Sequence, residues 1–242
     1  MTAAGRGGAV RLGVALPVFS SSPEVALRAA GEAERAGLDG IFVYDHLWPL
    51  GAPGHPAHSL FPLLGALAAR TSVVALGPLV ARVGLVANDE LLTMLLAVER
   101  LSDGRLIAGL GTGDHKNAHE NAAYGVALAP AGTRRVLLEN AAARLLDAGV
   151  ETWIGAGAPE TNAIARRMGC PLNFWAATPE RTAAAARLGI VTWAGDLPAD
   201  DGEAAGLLAD LGAAGASWII VHWPRRAERL VEAAVTSGLR KP

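Results

Sequence analysis

The sequence predicts a single (β/α)8 barrel, and three observations carry that expectation. Eight short apolar runs alternate with helix-like segments, the pattern of strand–helix units. The runs are nearly continuous in apolar residues rather than alternating, as strands buried on both faces of a parallel sheet are. The chain has 242 residues, close to the roughly 250 that such a barrel uses. A doubly wound sheet is the alternative, but it normally uses five or six strands and would leave two runs unassigned.

The runs are Arg11–Pro17, Gly40–Asp45, Val73–Val80, Arg105–Leu110, Glu151–Gly155, Pro171–Ala176, Ile190–Ala194 and Ser217–His222. Ser22-Pro23-Glu24 reads as a helix start, with a cap, a proline in the first turn and an acid at the positive helix end. That helix stops at Ala36-Gly37. A second helix is expected over Ser59 to Arg70. Asn88-Asp89-Glu90 opens a third, which ends near Ser102-Asp103-Gly104. Thr178-Pro179-Glu180 repeats the start signal, with its stop at Leu188-Gly189. Gly149, Gly169 and Gly215 punctuate three more.

Composition narrows the function classes. Hydrophobic residues make up 51% and charged residues 18%, which excludes a disordered chain. The balance of 21 basic against 23 acidic residues, with no basic block, argues against an electrostatic nucleic-acid binder. The single cysteine, Cys170, allows neither a disulfide framework nor a cysteine zinc site. No apolar stretch reaches the ~18 residues of a membrane span, and the start lacks the apolar core of a signal peptide. Residues 1–10 are expected to be a flexible leader, residues 11–242 one domain, and the protein cytoplasmic.

Barrel chemistry sits at the C-terminal strand ends. All six histidines fall there: His46, His55, His58, His115, His119 and His222. Asp45-His46 ends the second run and reads either as an acid/base or orienting pair, or as a turn cap beside an incidental histidine. Gly109-Leu110-Gly111-Thr112-Gly113-Asp114-His115 ends the fourth; its alternate glycines admit a ligand or another backbone. Ile154 to Pro159 ends the fifth and opens a helix, where exposed amides suit a phosphate or other anion, or form a plain tight turn. His55-x-x-His58 and His115-x-x-x-His119-Glu120 have spacings a metal could use. The first run nevertheless ends Ala15-Leu16-Pro17-Val18-Phe19 without a ligand, so no metal is expected. A serine nucleophile lacks its elbow motif, and Cys170 stands at a strand start.

Several segments together resemble the bacterial-luciferase-like superfamily. They are Val43-Tyr44-Asp45-His46, Val74 to Val80, Glu99-Arg100-Leu101-Ser102-Asp103-Gly104-Arg105 running on to Gly109-Leu110-Gly111-Thr112-Gly113, and Glu120 with Ala123-Tyr124-Gly125. The match leans towards the branch that uses the deazaflavin coenzyme F420. The resemblance implies an oxidoreductase that moves a hydride between F420 and a small organic substrate. Its enzyme rival is an FMN-dependent monooxygenase, and its rival from another class a non-catalytic deazaflavin-binding barrel. It implies that Asp45 and His46 lie beside the ring, with His46 relaying a proton. It also implies a non-proline cis bond at Leu79-Val80 behind the ring. Thr112 and Gly113 would line the tail side, and Gly155, Ala156, Gly157 and Ala158 would hold the cofactor's phosphate. Asp114 stands where the sugar-phosphate dehydrogenases of this branch have a glutamic acid. Ala177-Thr178-Pro179-Glu180 offers an acid where those enzymes place a phosphate-binding lysine, so a phosphosugar substrate is not expected. The long insertions of the flavin monooxygenases are absent.

A homodimer is expected on two grounds. Leu91, Leu92, Met94, Leu95, Leu96, Val98 and Leu101 cover more of the third helix than docking on one barrel requires. Leu60, Phe61, Leu63, Leu64 and Leu67 spread likewise around the second. The resemblance implies the same dimer.

Overall fold

The computed structural model describes residues 9–49 and 51–241; most of the expected leader, residues 1–8, lies outside them. The strands are β1 (Arg11–Ala15), β2 (Gly40–Val43), β3 (Ala75–Pro78), β4 (Ala81–Arg82), β5 (Ile107–Gly111), β6 (Glu151–Gly155), β7 (Leu172–Trp175), β8 (Val191–Gly195) and β9 (Ala216–His222). All neighbouring pairs are parallel, in the order β3-β2-β1-β9-β8-β7-β6-β5-β4. The doubly wound alternative is thereby excluded.

The expected third run, Val73–Val80, holds β3, and a further short strand outside the predicted runs, β4, follows directly after it. β3 pairs with β2, and β4 pairs with β5, with Ala81 opposite Leu110 and Arg82 opposite Gly111. Between them the Leu79–Val80 peptide is cis. The two ends of the sheet are therefore consecutive pieces of the chain, and a bridge between Leu76 and Leu106 helps draw the seam together. Glycines make the closure possible. A Cβ on Gly77 would overlap the Ile107 carbonyl, one on Gly109 the Pro78 carbonyl, and one on Gly111 the Val80 side chain, each at well under 3.0 Å. At Gly109 and Gly111, the neighbour that the sequence left open is the protein's own β3–β4 segment.

Helices α1 (Glu24–Arg35), α2 (Leu60–Arg70) and α3 (Asn88–Leu101) follow β1, β2 and β4. A short 3-10 turn (His115–Asn117), α4 (Ala118–Ala123) and α5 (Ala131–Asp147) follow β5. Helices α6 (Pro159–Met168), α7 (Pro179–Ala186), α8 (Asp201–Ala213) and α9 (Ala227–Thr236) complete the alternation. The start signals act as expected: the Thr178 hydroxyl accepts the Arg181 N–H at 3.3 Å, and Ser22 that of Glu24 at 3.3 Å. Gly169 closes α6 at φ 71°.

The barrel is filled rather than hollow. Phe42, Trp153 and Trp218, from β2, β6 and β9, meet inside it with ring centroids 5.4–5.8 Å apart. The Trp218 ring occupies the space a Cβ on Gly40 would need. At the N-terminal strand ends a cavity of about 360 Å³ lies between Arg11, Arg105, Glu151 and Trp218. There Arg105 donates to the carbonyls of Ala68, Thr71, Val74 and Ser102, tying α2, α3 and β3 into one joint.

The leucine pattern of α2 and α3 is mostly internal. Leu60, Leu63, Leu64 and Leu67 of α2 and Leu91, Leu92, Leu95 and Val98 of α3 are buried within one chain. The two helices pack on each other as well as on the strands, so each buries two sides. Phe61, Met94 and Leu96 are half-buried, and Leu101 is 65% exposed.

Candidate active site

The loop after β2, strand β4 and the segment after β5 bring four charged or titratable side chains together at the C-terminal end of the barrel. Glu120, in the first turn of α4, is buried. Its Oε2 lies 2.8 Å from Nδ1 of His46 and accepts from Arg82 Nη1 at 3.1 Å and from Asn117 Nδ2 at 3.3 Å. Its Oε1 accepts the Leu47 N–H at 2.9 Å. Burial alone would raise its carboxyl, but the His46 hydrogen bond, the Arg82 charge and the Leu47 amide outweigh it and hold Glu120 below the usual carboxylate range. An ionised carboxylate only accepts hydrogen bonds, so His46 Nδ1 carries the proton of this contact. A neutral His46 then has an unprotonated Nε2, the form of a proton acceptor.

Asp45 turns to the framework. Its Oδ2 accepts the Arg82 backbone N–H at 2.8 Å and lies 3.9 Å from Arg82 Nε. Burial pushes the Asp45 carboxyl up against the pull of that amide and of the Arg82 charge. Asp45 and Glu120 thus share Arg82, whose Nε and Nη2 have no acceptor among the described residues. Sequence reasoning missed Arg82 and Asn117. It met Glu120 only as a motif letter and as part of a possible metal spacing.

The remaining expected residues separate. Thr112 and Gly113 follow β5, where their carbonyls accept from the guanidinium of Arg134 on α5. Asp114 caps the 3-10 turn: its Oδ1 accepts the Lys116 N–H at 2.8 Å, and its own N–H donates to Asn117 Oδ1 at 2.8 Å. The carboxylate against His46 is therefore Glu120, not Asp114. Gly155 to Ala158 lead into α6 as expected, but two amides are engaged: Ala156 N–H donates to the Asn173 carbonyl at 2.7 Å and Gly157 N–H to Asn162 Oδ1 at 2.9 Å. The first-turn amides of α6 point the same way as at any helix start.

Three of the other histidines have separate partners. His58 Nε2 lies 3.3 Å from the Ser20 hydroxyl, and the His119 ring lies 5.6 Å from that of Trp48. His222 Nδ1 lies 3.2 Å from the Tyr44 hydroxyl. Tyr44 also stacks on Phe19 at 6.0 Å and meets Trp175 edge-on at 5.9 Å.

A sequence model of the family described as luciferase-like monooxygenase matches residues 8–216. The chain belongs to the luciferase-like monooxygenase family. Part of this luciferase-like chain is 35% identical over 109 residues to an F420-dependent glucose-6-phosphate dehydrogenase of Beutenbergia cavernae, covering 45% of this chain and 32% of that protein. The match thus spans about a third of that relative's length. Among solved structures, an F420-dependent secondary alcohol dehydrogenase in complex with an F420-acetone adduct superposes with a TM-score of 0.78, covering 97% of this chain and 100% of that one at 13% identity. The coenzyme F420 dependent tetrahydromethanopterin reductase from Methanopyrus kandleri gives 0.74, covering 94% and 97% at 14% identity. These likenesses show that the luciferase-like chain has the same barrel fold.

Proposed function

We propose that this luciferase-like barrel is an oxidoreductase that works with coenzyme F420 on a small organic substrate. The observation that carries the reading is His46 at the barrel mouth, with Nδ1 fixed by buried Glu120. The matched relative's F420 dependence supports the choice of cofactor. The residues present fit such a group: Gly157 has open space where a Cβ would be, and buried Arg82 has two N–H groups without an acceptor among the described residues.

On this reading Leu79, Val80, Asp45 and His46 border the deazaflavin ring. Thr112 and Gly113 line the tail side, and Gly155, Ala156, Gly157 and Ala158 with the first turn of α6 face its phosphate. When bound, F420 supplies the hydride chemistry. The chain's own work is to orient the reactants and move a proton. His46 Nε2 takes or gives that proton while Nδ1 stays on Glu120, and Arg82 keeps Glu120 ionised. Asp114 is kept as an acid only if its cap opens.

The reading includes a cytoplasmic homodimer. Its contact is narrower than the sequence suggests: Phe61, Met94 and Leu96 are half-buried and Leu101 exposed on α2 and α3.

The test is oxidation of reduced F420 against a panel of small carbonyl compounds, followed by deazaflavin absorbance. Wild-type protein turns over, and His46→Ala lowers turnover by roughly 10²–10⁴ with little change in F420 affinity. Full activity in the variant removes His46 as the relay. Tight F420 binding with no turnover across the panel makes the protein a carrier.

A further inference from the structure

Aromatic side chains from opposite sides of the barrel meet over its mouth. Tyr44 follows β2 and Trp175 ends β7, four strands away through β1, β9 and β8. Their ring centroids are nevertheless only 5.9 Å apart. Phe19, after β1, stacks on Tyr44 at 6.0 Å, and His222, ending β9, stacks on it at 5.8 Å. This layer sits above the buried Phe42–Trp153–Trp218 layer and two residues from His46 along the chain. Trp175 is 55% exposed and Phe19 and His222 are half-buried, so these three rings are accessible, while Tyr44 is buried between them.

The phenol of this floor is already paired, and a charge that acts on it is acidic. The Tyr44 hydroxyl is paired with His222 Nδ1. Asp196, after β8, is near enough to add to the burial that pushes the Tyr44 phenol up. The cations of neighbouring loops are mostly committed. Arg82 is on Glu120, Arg134 on carbonyls of the β5 loop, Arg181 over the Phe174 ring, Arg226 on Glu232 and Arg229 on Asp201. Lys116 and Arg225 stand exposed.

From this we propose that the substrate of the site is an uncharged, ring-containing molecule, aromatic or alicyclic, which rests on the Phe19–Tyr44–Trp175–His222 floor, and not a sugar phosphate or other small anion. The proposal rests on the oxidoreductase reading for the word substrate, but the floor itself follows from the rings. A planar uncharged ligand gains stacking and apolar burial against these rings. An anion would have to draw on exposed Lys116 or Arg225 or on the two Arg82 N–H groups without an acceptor among the described residues, none of them part of the ring layer, and it meets the field of Asp196.

Acetophenone, acetone and 4-acetylbenzoate share one carbonyl and separate the two features, ring and charge. Their binding is measured on the full chain by the tryptophan indole N–H resonances, the Trp175 signal being the one missing in Trp175→Ala. Trp175 is exposed, so this variant keeps its fold. Acetophenone is expected to shift the Trp175 signal and to bind about ten-fold tighter than acetone or 4-acetylbenzoate. Trp175→Ala should weaken acetophenone about five-fold, and Trp175→Phe should restore it. Equal or tighter binding of 4-acetylbenzoate, or binding of acetophenone that ignores Trp175, overturns the proposal. A separate F420 titration keeps the two claims apart. F420 binding with no preference for the ring probe sinks the substrate class alone. Ring binding at Trp175 without F420 binding supports the floor and sinks the oxidoreductase reading.

Discussion

Glu120 carries three side-chain contacts and a backbone amide, so its replacement separates packing from orientation. Three donors converge on its Oε2, from His46, Arg82 and Asn117. Glu120→Gln places an amide oxygen where they converge, and should keep His46 protonated at Nδ1, losing mainly the Leu47 contact. Glu120→Ala removes the acceptor and leaves the buried Arg82 charge with Asp45 alone, at 3.9 Å, at a cost of about 3 kcal/mol. Nitrogen chemical shifts of the His46 ring check this: one fixed tautomer in wild type and Gln variant, a mixture in the Ala variant. The same tautomer in all three would free His46 from Glu120. The Asp45-His46 dipeptide was legible in sequence because strand ends carry barrel chemistry. The pairing of His46 with Glu120, 74 positions away in the chain, was not, since only the folded α4 turn brings Glu120 to the imidazole.

At the scale of elements, two joints make separate predictions. Glu34, near the C-terminal end of α1, accepts the backbone N–H groups of Ser72, Val73 and Val74 at 2.7, 2.8 and 3.3 Å, which fastens α1 to the entry of β3. Burial works to raise its carboxyl, but the Val73, Ser72 and Val74 amides and the Arg105 charge together lower it. A lowered folded value means that the ionised form stabilises the native state. That contribution is complete above the ordinary carboxylate range and is lost as pH falls through the lowered value. Thermal unfolding from pH 7 to pH 3 should show a steeper loss in wild type than in Glu34→Gln; parallel curves would remove Glu34 from the acid response. At the β3–β5 seam, Gly109→Ala puts a methyl into the Pro78 carbonyl and should cost about 3 kcal/mol. Gly206, exposed within α8 with open space around it, should accept Ala with a gain of about 0.5–1 kcal/mol. Denaturant midpoints compare the two. The strand runs and helix stops were readable because each is a local pattern. The short strand β4 just beyond the third run was not, because it depends on a partner, β5, different from the β2 that pairs with β3.

For the molecule as a whole, the strand–helix alternation was enough to give the barrel, and the count of apolar helix faces was not enough to give the assembly. A leucine on α3 reads the same whether a neighbouring helix or a second chain covers it, and in the fold α2 covers much of the surplus. Light scattering settles the remaining surface: about 50 kDa supports the homodimer, and a species at the 24.8 kDa chain mass rules it out and leaves Leu101 solvent-facing. The central claim concerns the cofactor, and it is tested most directly by titrating the purified protein with oxidised F420 and with FMN, following tryptophan fluorescence. Trp48 and Trp175 at the mouth should report the event. The account predicts that F420 binds at least about ten-fold more tightly than FMN, or about 1.4 kcal/mol; a clear preference for FMN would contradict it.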